Sequence, residues 1–485
     1  MTSGVKVVIV GAGIGGLTAA IRLASAGHHV VLLERNPVVG GKVADLDETG
    51  YRFDLGPNVL TMPQAFDDVF QLAGTTLATE VDLVRLDPRA RYRWPDGSTL
   101  VVPDDPDAAI AAIEQFSPGS GVEWGAFREH AGGVWAATER ILHDHRSRSP
   151  GSGLSRLTSP LDLGRMDGKR TLAKAAASFF GDPRLRQLVG SYANRVGSSP
   201  NRAPATLAGL VHVEQAFGSW YVTGGIGRLR DALERVATSA GVEIRTGVDV
   251  GRIATDHGVV TGVVLADGGA EGADVVVSNV DAAHLYTDLL PHPKRAKLLD
   301  AAGLSASAFV MCAAVRGRTE GIAHHNVFFS LHDRQEYRHL EAGQMPIDQT
   351  ISASVSAVTD AGQAPPGCEN WFVMVATPPE TGVDRKLMTA AVLNRLAERG
   401  VDLRARIEFT RTLLPADFDA RYRSVGGALY GTSSNGRSAA FSRPSNVGPV
   451  EGLYLVGGSA NPGGGLPGVA ASARIVAELV AQRHG

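Results

Sequence analysis

Cysteine is nearly absent from this chain of 485 residues, which contains only Cys312 and Cys368. Two cysteines cannot build the disulfide framework of a small secreted scaffold. Neither stands in a C-x-x-C motif or beside a His/Cys cluster, so the pattern predicts no zinc or other metal site. The cysteine usage therefore favours a protein of the reducing cytoplasm.

Long apolar runs and an excess of positive charge are also missing. No stretch approaches the roughly 18 apolar residues that span a bilayer, and the first apolar run, Val7–Val10, ends in glycine and indicates a strand rather than a signal peptide. The formal net charge of −3 gives no positive field for nucleic acid. These absences predict a cytoplasmic protein without a nucleic-acid partner, and they leave open peripheral contact with the inner face of the membrane.

The start of the chain is rich in glycine and has the pattern of one βαβ unit. The run Lys6–Val10 predicts a buried strand, Leu17–Ala26 a small-residue helix, and Val30–Leu33 a second strand. Between the first strand and the helix lies Gly11-Ala12-Gly13-Ile14-Gly15-Gly16, a G-x-G-x-x-G motif. Strand, turn, helix, strand and the closing acid Glu34 all occur in the order that dinucleotide binding requires.

Each glycine of this motif has a separate task. Gly11 permits the tight turn, Gly13 lets the backbone approach a pyrophosphate, and Gly16 lets the helix pack on the strand. The free N–H groups at the start of the helix attract phosphate oxygens. Glu34, at the end of the second strand, is placed to accept hydrogen bonds from the ribose hydroxyls of an adenosine.

The residues just after Glu34 favour FAD over NAD. Gly40-Gly41-Lys42 forms a second glycine pair, which lets the chain pass close to a cofactor, and a basic residue there can meet phosphate. Taken alone, Lys42 is equally well explained as a solvated surface lysine. Flavoproteins of the glutathione-reductase type commonly have G-G-[RK] at this position, so the glycines favour the flavin interpretation.

The rest of the chain alternates between two patterns. The dinucleotide-domain pattern returns with a helix over Ile226–Ala240 and a strand over Asp274–Ser278, and again with a strand over Leu453–Val456 and a final helix over Val469–Ala481. The segments between them predict a hairpin over Arg91–Val102 and long helical stretches. Because 485 residues exceed a single core, we predict two interleaved domains.

The predicted fold class is therefore α/β: a Rossmann-like FAD-binding domain of glutathione-reductase type with an interleaved α+β substrate domain. The predicted boundaries are 1–90, 220–285 and 425–485 for the FAD-binding domain, and 91–219 and 286–424 for the substrate-binding, membrane-facing domain.

The chain resembles the bacterial-type phytoene desaturases, which are carotenoid desaturases within the amine-oxidase flavoprotein superfamily. Four blocks carry the resemblance and span nearly the whole chain in the family's order. They are Val7–Lys42; Gly50–Thr61, similar to G-[FY]-x-F-D-x-G-P; Tyr221–Ile226 with Gly241–Ile244 and Asp274–Asp281; and Leu453–Val469, whose Gly/Pro-rich turn lies against the flavin ring in the family.

The resemblance implies FAD as the cofactor and a set of residues that contact it. These residues are Gly11, Ala12, Gly13, Gly15, Gly16, Glu34, Arg35, Gly41, Lys42, Gly56, Pro57, Asn58, Val59, Val250, Gly457, Gly458, Leu466, Pro467, Gly468 and Val469. Two positions depart from the pattern. Asn461 stands where many relatives have His, and Gly458 stands where many flavoproteins have an acid that holds the ribityl chain.

The C-terminal turn supports the flavin interpretation from its own residues. Three glycines and two prolines after a buried strand form a rigid surface with few side chains, against which a flat ring can lie. The N–H groups of Gly468 and Val469, at the start of the last helix, are placed to stabilise negative charge on a reduced flavin. The alternative is an ordinary loop between a strand and a helix.

The resemblance implies an FAD-dependent desaturase that removes a hydride and a proton from a hydrophobic polyene or isoprenoid of the carotenoid type. The segment Gly426–Arg437 is closer to relatives that act on conjugated polyenes. The alternatives are a flavin-dependent polyene oxidoreductase or cyclase of a secondary-metabolite pathway, and an amine oxidase. A non-catalytic prenyl-protein binding module is disfavoured by the intact G-x-G-x-x-G motif and C-terminal turn.

The sequence does not identify a catalytic base. His212, Glu214 and the pair His324-His325 lie outside the flavin motifs, and we predict structural or exposed positions for them.

A hydrophobic substrate must also reach the protein. We predict a membrane-docking face of Trp124, Phe127, Trp135, Ile141 and Leu142, followed by a basic segment up to residue 170. Core aromatics followed by a solvated loop are the alternative.

Overall fold

The computed structural model describes residues 4–143, 164–436, 439 and 443–484, with a mixed arrangement of helices and strands. The strands are β1 Lys6–Val10, β2 His29–Glu34, β3 Asp45–Glu48, β4 Tyr51–Asp54, β5 Leu83–Arg85, β6 Ala90–Arg93, β7 Thr99–Val102, β8 Trp220–Val222, β9 Glu243–Thr246, β10 Val250–Asp256, β11 Val259–Leu265, β12 Ala270–Gly272, β13 Val275–Ser278, β14 Ser307–Arg316, β15 His325–Phe328, β16 Ile351–Val355, β17 Cys368–Thr377, β18 Ile407–Leu413 and β19 Leu453–Leu455.

The α-helices alternate with these strands in the chain. They are α1 Ile14–Ser25, α2 Gln64–Leu72, α3 Leu77–Glu80, α4 Pro106–Phe116, α5 Ser120–His143, α6 Leu172–Phe179, α7 Pro183–Asn194, α8 Ala208–Phe217, α9 Gly227–Ser239, α10 Ala282–His284, α11 Pro293–Ala302, α12 Asp333–Glu341, α13 Arg385–Glu398, α14 Pro415–Tyr422 and α15 Leu466–His484. Residues 147–159, whose content of Ser, Gly, Pro and Arg predicts a loop, lie outside the described residues.

A five-stranded parallel sheet organises the glycine-rich parts of the chain. Its order is β19-β13-β1-β2-β9, so segments from the beginning, the middle and the end of the sequence pair side by side. Strand β1 is covered on both faces. Val7 and Ile9 face a core that α1, α9 and α15 complete, whereas Val8 and Val10 pack against the antiparallel sheet β10-β11-β12. This double burial explains the unbroken Val/Ile run that predicted the strand.

The second large sheet has seven strands in the order β18-β14-β17-β16-β15-β6-β7 and is antiparallel except between β15 and β6. One face packs on α13 through alternating residues such as Met311, Trp371 and Val373. The opposite face, one residue out of step, is turned toward the interior between the two sheets. Helices α4 to α8 form a separate aromatic-rich core beside this sheet.

The predicted elements are confirmed in type, and their bounds differ by a few residues. The hairpin is β6 and β7, and the helices predicted near residues 226–240 and 469–481 are α9 and α15. The two long helical stretches are broken into α4 and α5, and into α6, α7 and α8. Asp105 caps α4 and Asp182 caps α7, and both helices begin with proline. These N-terminal signals mark the start of the first stretch and the break between α6 and α7.

Asp54, at the end of β4, connects the β3–β4 hairpin to the start of α9 and makes the stability of the fold depend on pH. Its Oδ1 accepts the N–H of Ile226 at 3.0 Å, and burial raises the pKa of its carboxyl to about 7. The folded protein thus holds a proton that the unfolded chain releases near pH 4. Stability from this group is therefore greatest below that pH and falls as the pH rises toward 7.

We expect Asp54→Asn to flatten this part of the pH profile, because the amide oxygen still accepts the Ile226 N–H and no charge has to be buried. Between about pH 5 and 7, the wild type should lose about 2 kcal/mol more of its free energy of unfolding than the variant. Urea unfolding of both proteins across this pH range measures the difference. Parallel profiles would contradict the assignment.

Candidate flavin and polyene site

One cavity of about 1430 Å³ connects the carboxyl edge of the parallel sheet with the inner face of the seven-stranded sheet. Its walls come from distant parts of the chain, including the Gly11–Gly15 turn, the segment after β4, helices α7 and α8, and the turn before α15. In open parallel sheets, ligands bind at the carboxyl ends of the strands. The cavity therefore begins where the sequence predicts a dinucleotide and continues into the predicted substrate half.

The first βα turn and Glu34 are fixed to each other by hydrogen bonds. Glu34 is 5% exposed, and its Oε2 accepts the N–H of Ala12 at 2.8 Å. Its Oε1 accepts both the backbone N–H and the side-chain Nδ2 of Asn36, each at 2.8 Å. The carboxylate thus closes the glycine turn from the side of β2 and also lines the cavity.

The glycines form a cradle in which side chains have no room. A Cβ on Gly15 would lie 2.6 Å from Asn279 Oδ1, and a Cβ on Gly457 would lie 2.5 Å from the same atom. A Cβ on Gly41 would lie 3.2 Å from the Cα of Gly13. Asn279 also donates through Nδ2 to the Gly11 carbonyl at 3.2 Å. The Gly11–Gly15 turn and Gly457 therefore converge on the Asn279 side chain, and Gly41 packs on the turn, which leaves bare peptide groups facing the cavity.

Lys42 has a local partner at the cradle. Its Nζ donates to the Leu429 carbonyl at 2.6 Å. Burial lowers the pKa of Lys42, and the nearby Asp281 opposes the shift. Burial also raises the pKa of Asp281. Lys42 and Asp281 both lie on the cavity wall and interact electrostatically, so Lys42 is not the solvated surface lysine that its sequence position alone also allowed.

The Gly/Pro-rich turn before α15 is supported from below by a buried arginine. Arg443 is 8% exposed and donates to the carbonyls of Gly458 at 3.1 Å and Tyr430 at 3.2 Å. Burial lowers the pKa of Arg443. Val469, predicted to offer its N–H to the flavin, donates it to the Gly465 carbonyl at 3.0 Å within the first turn of α15.

The far half of the cavity is walled mainly by apolar side chains in cross-strand rows. In one row Val327 pairs with Ser352, Ser352 with Met374, and Met374 with Val310. All four line the cavity, opposite Trp135, Leu210 and Phe217 from the helices. Side chains at paired positions on one sheet face form a continuous surface, so this wall is suited to a long apolar molecule.

The structure brings the predicted cofactor residues together. All of them line this one cavity except Ala12 and Gly16, which stand behind its wall. The N–H of Ala12 is engaged with Glu34, and Gly16 is pressed against the Gly11 carbonyl, to which a Cβ would come within 2.1 Å. These two residues shape the turn from the side away from the cavity.

Sequence reasoning missed several wall residues. Asn279 follows a buried parallel strand, and its place at the carboxyl edge of the sheet is a usable signal. Arg443 and Tyr430 line the cavity from a segment without a periodic hydrophobic pattern, so their local sequence did not predict a position on the cavity wall. Glu214 and His325, which we expected to be structural or exposed, also line the cavity. His324, by contrast, is 3% exposed, and its Nδ1 forms a hydrogen bond of 2.8 Å with Thr359 Oγ1.

The predicted membrane-docking face is wrong for Trp124 and Phe127, which are buried in the protein core. Trp124 is 2% exposed and Phe127 fully buried, and both rings pack with Phe180 at centroid distances of 5.7 and 5.3 Å. Trp135 lies on the cavity wall. The apolar spacing reflects core packing between helices. The side chains of Ile141 and Leu142 and most of the following basic segment lie outside the described residues.

In the part of the chain that the structure describes, no helix combines the length and the apolar character needed to cross a membrane.

The cradle fits FAD. Its glycines leave the space that a pyrophosphate needs, α1 begins without a side-chain cap or an acidic residue in its first turn, and Glu34 stands beside it with carboxylate oxygens on the wall. The long cavity beyond the cradle leaves room for a second, apolar molecule. Fold and site together define a flavin-dependent oxidoreductase.

Comparison with protein families agrees with this class. Residues 14–481 match the family described as flavin containing amine oxidoreductase, and the chain belongs to this family. The predicted cofactor FAD and the predicted oxidoreductase class are confirmed.

Curated relatives narrow the relationship within the family. The chain is 36% identical over 496 residues to a hydroxyneurosporene desaturase from Cereibacter sphaeroides, which covers 98% of this chain and 97% of the relative. It is 33% identical over 486 residues to a 4,4'-diapolycopene oxygenase from Methylomonas sp, at 98% of both chains. The resemblance to carotenoid desaturases is therefore confirmed.

Two solved structures illustrate the shared fold. An oxidoreductase from Methanosarcina mazei has a TM-score of 0.67 at 20% identity over 98% of this chain and 100% of that chain. Cyclohexylamine oxidase from Brevibacterium oxydans has a TM-score of 0.64 at 16% identity over 99% of both chains. These likenesses establish the mixed α/β fold with its parallel sheet.

Proposed function

We propose that this protein is an FAD-dependent desaturase that removes a hydride and a proton from neighbouring carbons of a hydrophobic polyene or isoprenoid of the carotenoid type. The observation that carries the proposal is the continuity of the cavity, which leads from the glycine cradle to the apolar wall of the seven-stranded sheet. The names of the relatives, a carotenoid desaturase among them, support the same substrate class.

Bound FAD supplies the hydride acceptor, and the chain supplies position and surroundings. The row through Ser352, with Val327, Met374 and Val310, presents a mainly apolar surface against which an extended chain can lie. The same surface excludes water, which protects a developing positive charge on the polyene from hydration. The support that Arg443 gives to the turn around Gly458 keeps the flavin end of the cavity rigid.

We propose the following roles for the cradle. Glu34 accepts hydrogen bonds from the hydroxyls of the adenosine ribose, and the start of α1 binds the pyrophosphate. The Gly/Pro-rich turn lies against the flavin ring. This organisation corresponds to a Rossmann-like FAD-binding domain of glutathione-reductase type. The proposed domains keep the sequence-based boundaries: 1–90, 220–285 and 425–485 for FAD, and 91–219 and 286–424 for the substrate.

Oxygenation of a polyene is the second candidate, because relatives at 33 and 34% identity are named oxygenases. The two reactions differ in what they consume. Desaturation with FAD needs no oxygen for a single turnover, whereas insertion of an oxygen atom from O₂ does.

The decisive experiment mixes the FAD-loaded protein with a panel of polyenes without oxygen. Bleaching of the oxidised-flavin absorbance, together with a product lighter by two hydrogens, is the expected result. A product of unchanged mass would instead indicate cyclisation. Reaction only after oxygen is admitted, with a heavier product, would replace desaturation by oxygenation.

Ser352 provides a test of the wall. Its side chain faces the cavity between Val327 and Met374, so we expect Ser352→Phe to block the polyene path and lower kcat/KM by about 10²-fold, with FAD content unchanged. Ser352→Ala, which keeps the space, is the matched control and should retain activity. Stopped-flow measurement of flavin reduction by the polyene gives the activity of both variants. Equal activity of the two variants would remove this wall from the substrate path.

A further inference from the structure

A charged cluster interrupts the apolar half of the cavity. Arg195 forms an ion pair with Glu214, and Tyr192 donates its hydroxyl to Glu214 Oε1 at 2.9 Å. The guanidinium carbon of Arg195 lies 4.1 Å from the centre of the Tyr192 ring. All three side chains line the cavity. Arg195 follows directly after α7, where the partial negative charge at the helix end favours a cation.

The hydrogen-bond donors of this cluster are only partly paired within it. The Arg195 side chain is 39% accessible and borders the cavity. Glu214, by contrast, is 9% accessible. A guanidinium has five N–H donors in a planar fork, and the contact with Glu214 uses one edge of it. Donors of Arg195 are therefore presented to whatever occupies the cavity.

His325 faces the same region from the sheet. Its Nδ1 is 2.8 Å from Ser354 Oγ, while its buried Nε2 has no hydrogen-bond partner among the described residues. Burial lowers the pKa of His325 to about 3, and the charge of Arg195 adds to the shift. The ring is neutral at physiological pH. Depending on its tautomer, Nε2 then either donates to an oxygen or accepts from a hydroxyl.

Tyr430 connects this cluster with the flavin end of the cavity. A Cβ on Gly464, in the Gly/Pro-rich turn, would lie 2.9 Å from Tyr430 Cδ1. A Cβ on Gly197, two residues after Arg195, would lie 2.8 Å from Tyr430 Cδ2. One aromatic ring thus separates the turn from the segment that carries Arg195. The cluster borders the reacting end of the cavity.

A pure hydrocarbon does not suit these groups. Filling the cavity with it would strip water from Arg195 and leave its free donors without acceptors, which is costly in an apolar site. Apolar residues of similar volume would serve a hydrocarbon better than a buried ion pair. An oxygen atom on the ligand would instead accept from Arg195 and complete the pairing of His325.

We infer that Arg195, Glu214 and His325 form a polar subsite that binds a hydroxyl or carbonyl oxygen, so that the substrate is a polyene bearing such an oxygen. This inference rests on the proposed function. Glu214 orients Arg195, and Arg195 and His325 contact the oxygen. These residues determine specificity; the hydride transfer itself does not use them.

The test compares three polyenes with the same chain: the hydrocarbon, the terminal alcohol and the terminal aldehyde. In anaerobic stopped flow, the wild type should reduce its flavin with at least one oxygenated polyene at a kcat/KM at least about tenfold above that with the hydrocarbon. In Arg195→Met/Glu214→Gln, which removes both charges together, the ratio should approach one, because the oxygenated polyenes lose their donors and the hydrocarbon no longer strips water from a charge.

His325→Leu is the second variant, since it leaves the ion pair intact and removes only the unpartnered nitrogen. It should lower the preference by several-fold with unchanged FAD content. A wild type that oxidises the hydrocarbon as well as both oxygenated polyenes overturns the subsite while the desaturase function stands. If both folded variants still prefer the oxygenated polyenes over the hydrocarbon, the subsite is overturned as well. Failure of all three polyenes to reduce the flavin overturns the proposed function and the subsite together.

Discussion

Replacement of Gly16 by alanine should abolish stoichiometric FAD binding and destabilise the protein by about 3 kcal/mol. The new Cβ would lie 2.1 Å from the Gly11 carbonyl oxygen, which is backbone and cannot rotate away. The first βα turn would have to open, and with it the cradle that Asn279 holds together. Flavin released from the purified protein by denaturation gives the stoichiometry, and urea unfolding gives the stability.

Gly125→Ala is the matched control for this substitution. Gly125 lies in α5, and no atom lies within 4 Å of the position that its Cβ would take. Alanine inside a helix is favoured over glycine by about 1 kcal/mol, so this variant should be as stable as the wild type or slightly more so. If Gly16→Ala were purified with a full complement of FAD and wild-type stability, the packing explanation of the motif would fail.

Loss of the Glu34 carboxylate is the second change with a large expected effect. Glu34→Ala leaves the buried N–H of Ala12 and two partly buried donors of Asn36 without the carboxylate that accepts from them. We expect a loss of about 3 kcal/mol in the free energy of unfolding and roughly 100-fold weaker FAD binding, because the turn and the proposed ribose contact are affected together. Titration of the apoprotein with FAD, followed by flavin fluorescence, measures the affinity.

Two further variants separate the causes. Glu34→Gln keeps one acceptor oxygen and removes the charge, so its effects should lie between those of the wild type and Glu34→Ala. Glu341→Ala removes an exposed glutamate at the end of α12 and should change stability by less than about 0.5 kcal/mol. Wild-type affinity in Glu34→Ala would show that the ribose is held elsewhere.

The cradle was predictable from the sequence because its signals are local. Glycines at fixed spacing, a continuous apolar strand and an acid at the end of the next strand occur within about thirty residues, and each follows from the geometry of one βαβ unit. The C-terminal turn shares this property, since Gly463, Gly464 and Gly465 are adjacent in the chain. The resemblance added their order and their cofactor.

The membrane-docking hypothesis failed for a corresponding reason. Aromatic residues at helical spacing show that one face of α5 is apolar, but the pattern is the same whether the partner is lipid or protein. Phe180, far along the sequence, is the residue that covers Trp124 and Phe127. Only the packing of α5 against the neighbouring helices distinguishes the two cases.

The polar cluster was equally hidden. Arg195 follows the end of α7, Glu214 lies in α8, and His325 comes from a strand more than a hundred residues later. As isolated residues they resemble ordinary surface or structural groups. They become a site only because α7, α8 and β15 border the same cavity.

The sequence by itself determined FAD as the cofactor and the parallel sheet with its glycine cradle, because these features follow from turn conformation, strand burial and helix termini within short segments. Tertiary structure alone decided what the rest of the cavity offers to a substrate. Its wall is made of alternate residues on four strands and of helix faces from other parts of the chain, and side chains so distant in sequence acquire a common environment only when the sheets and helices pack.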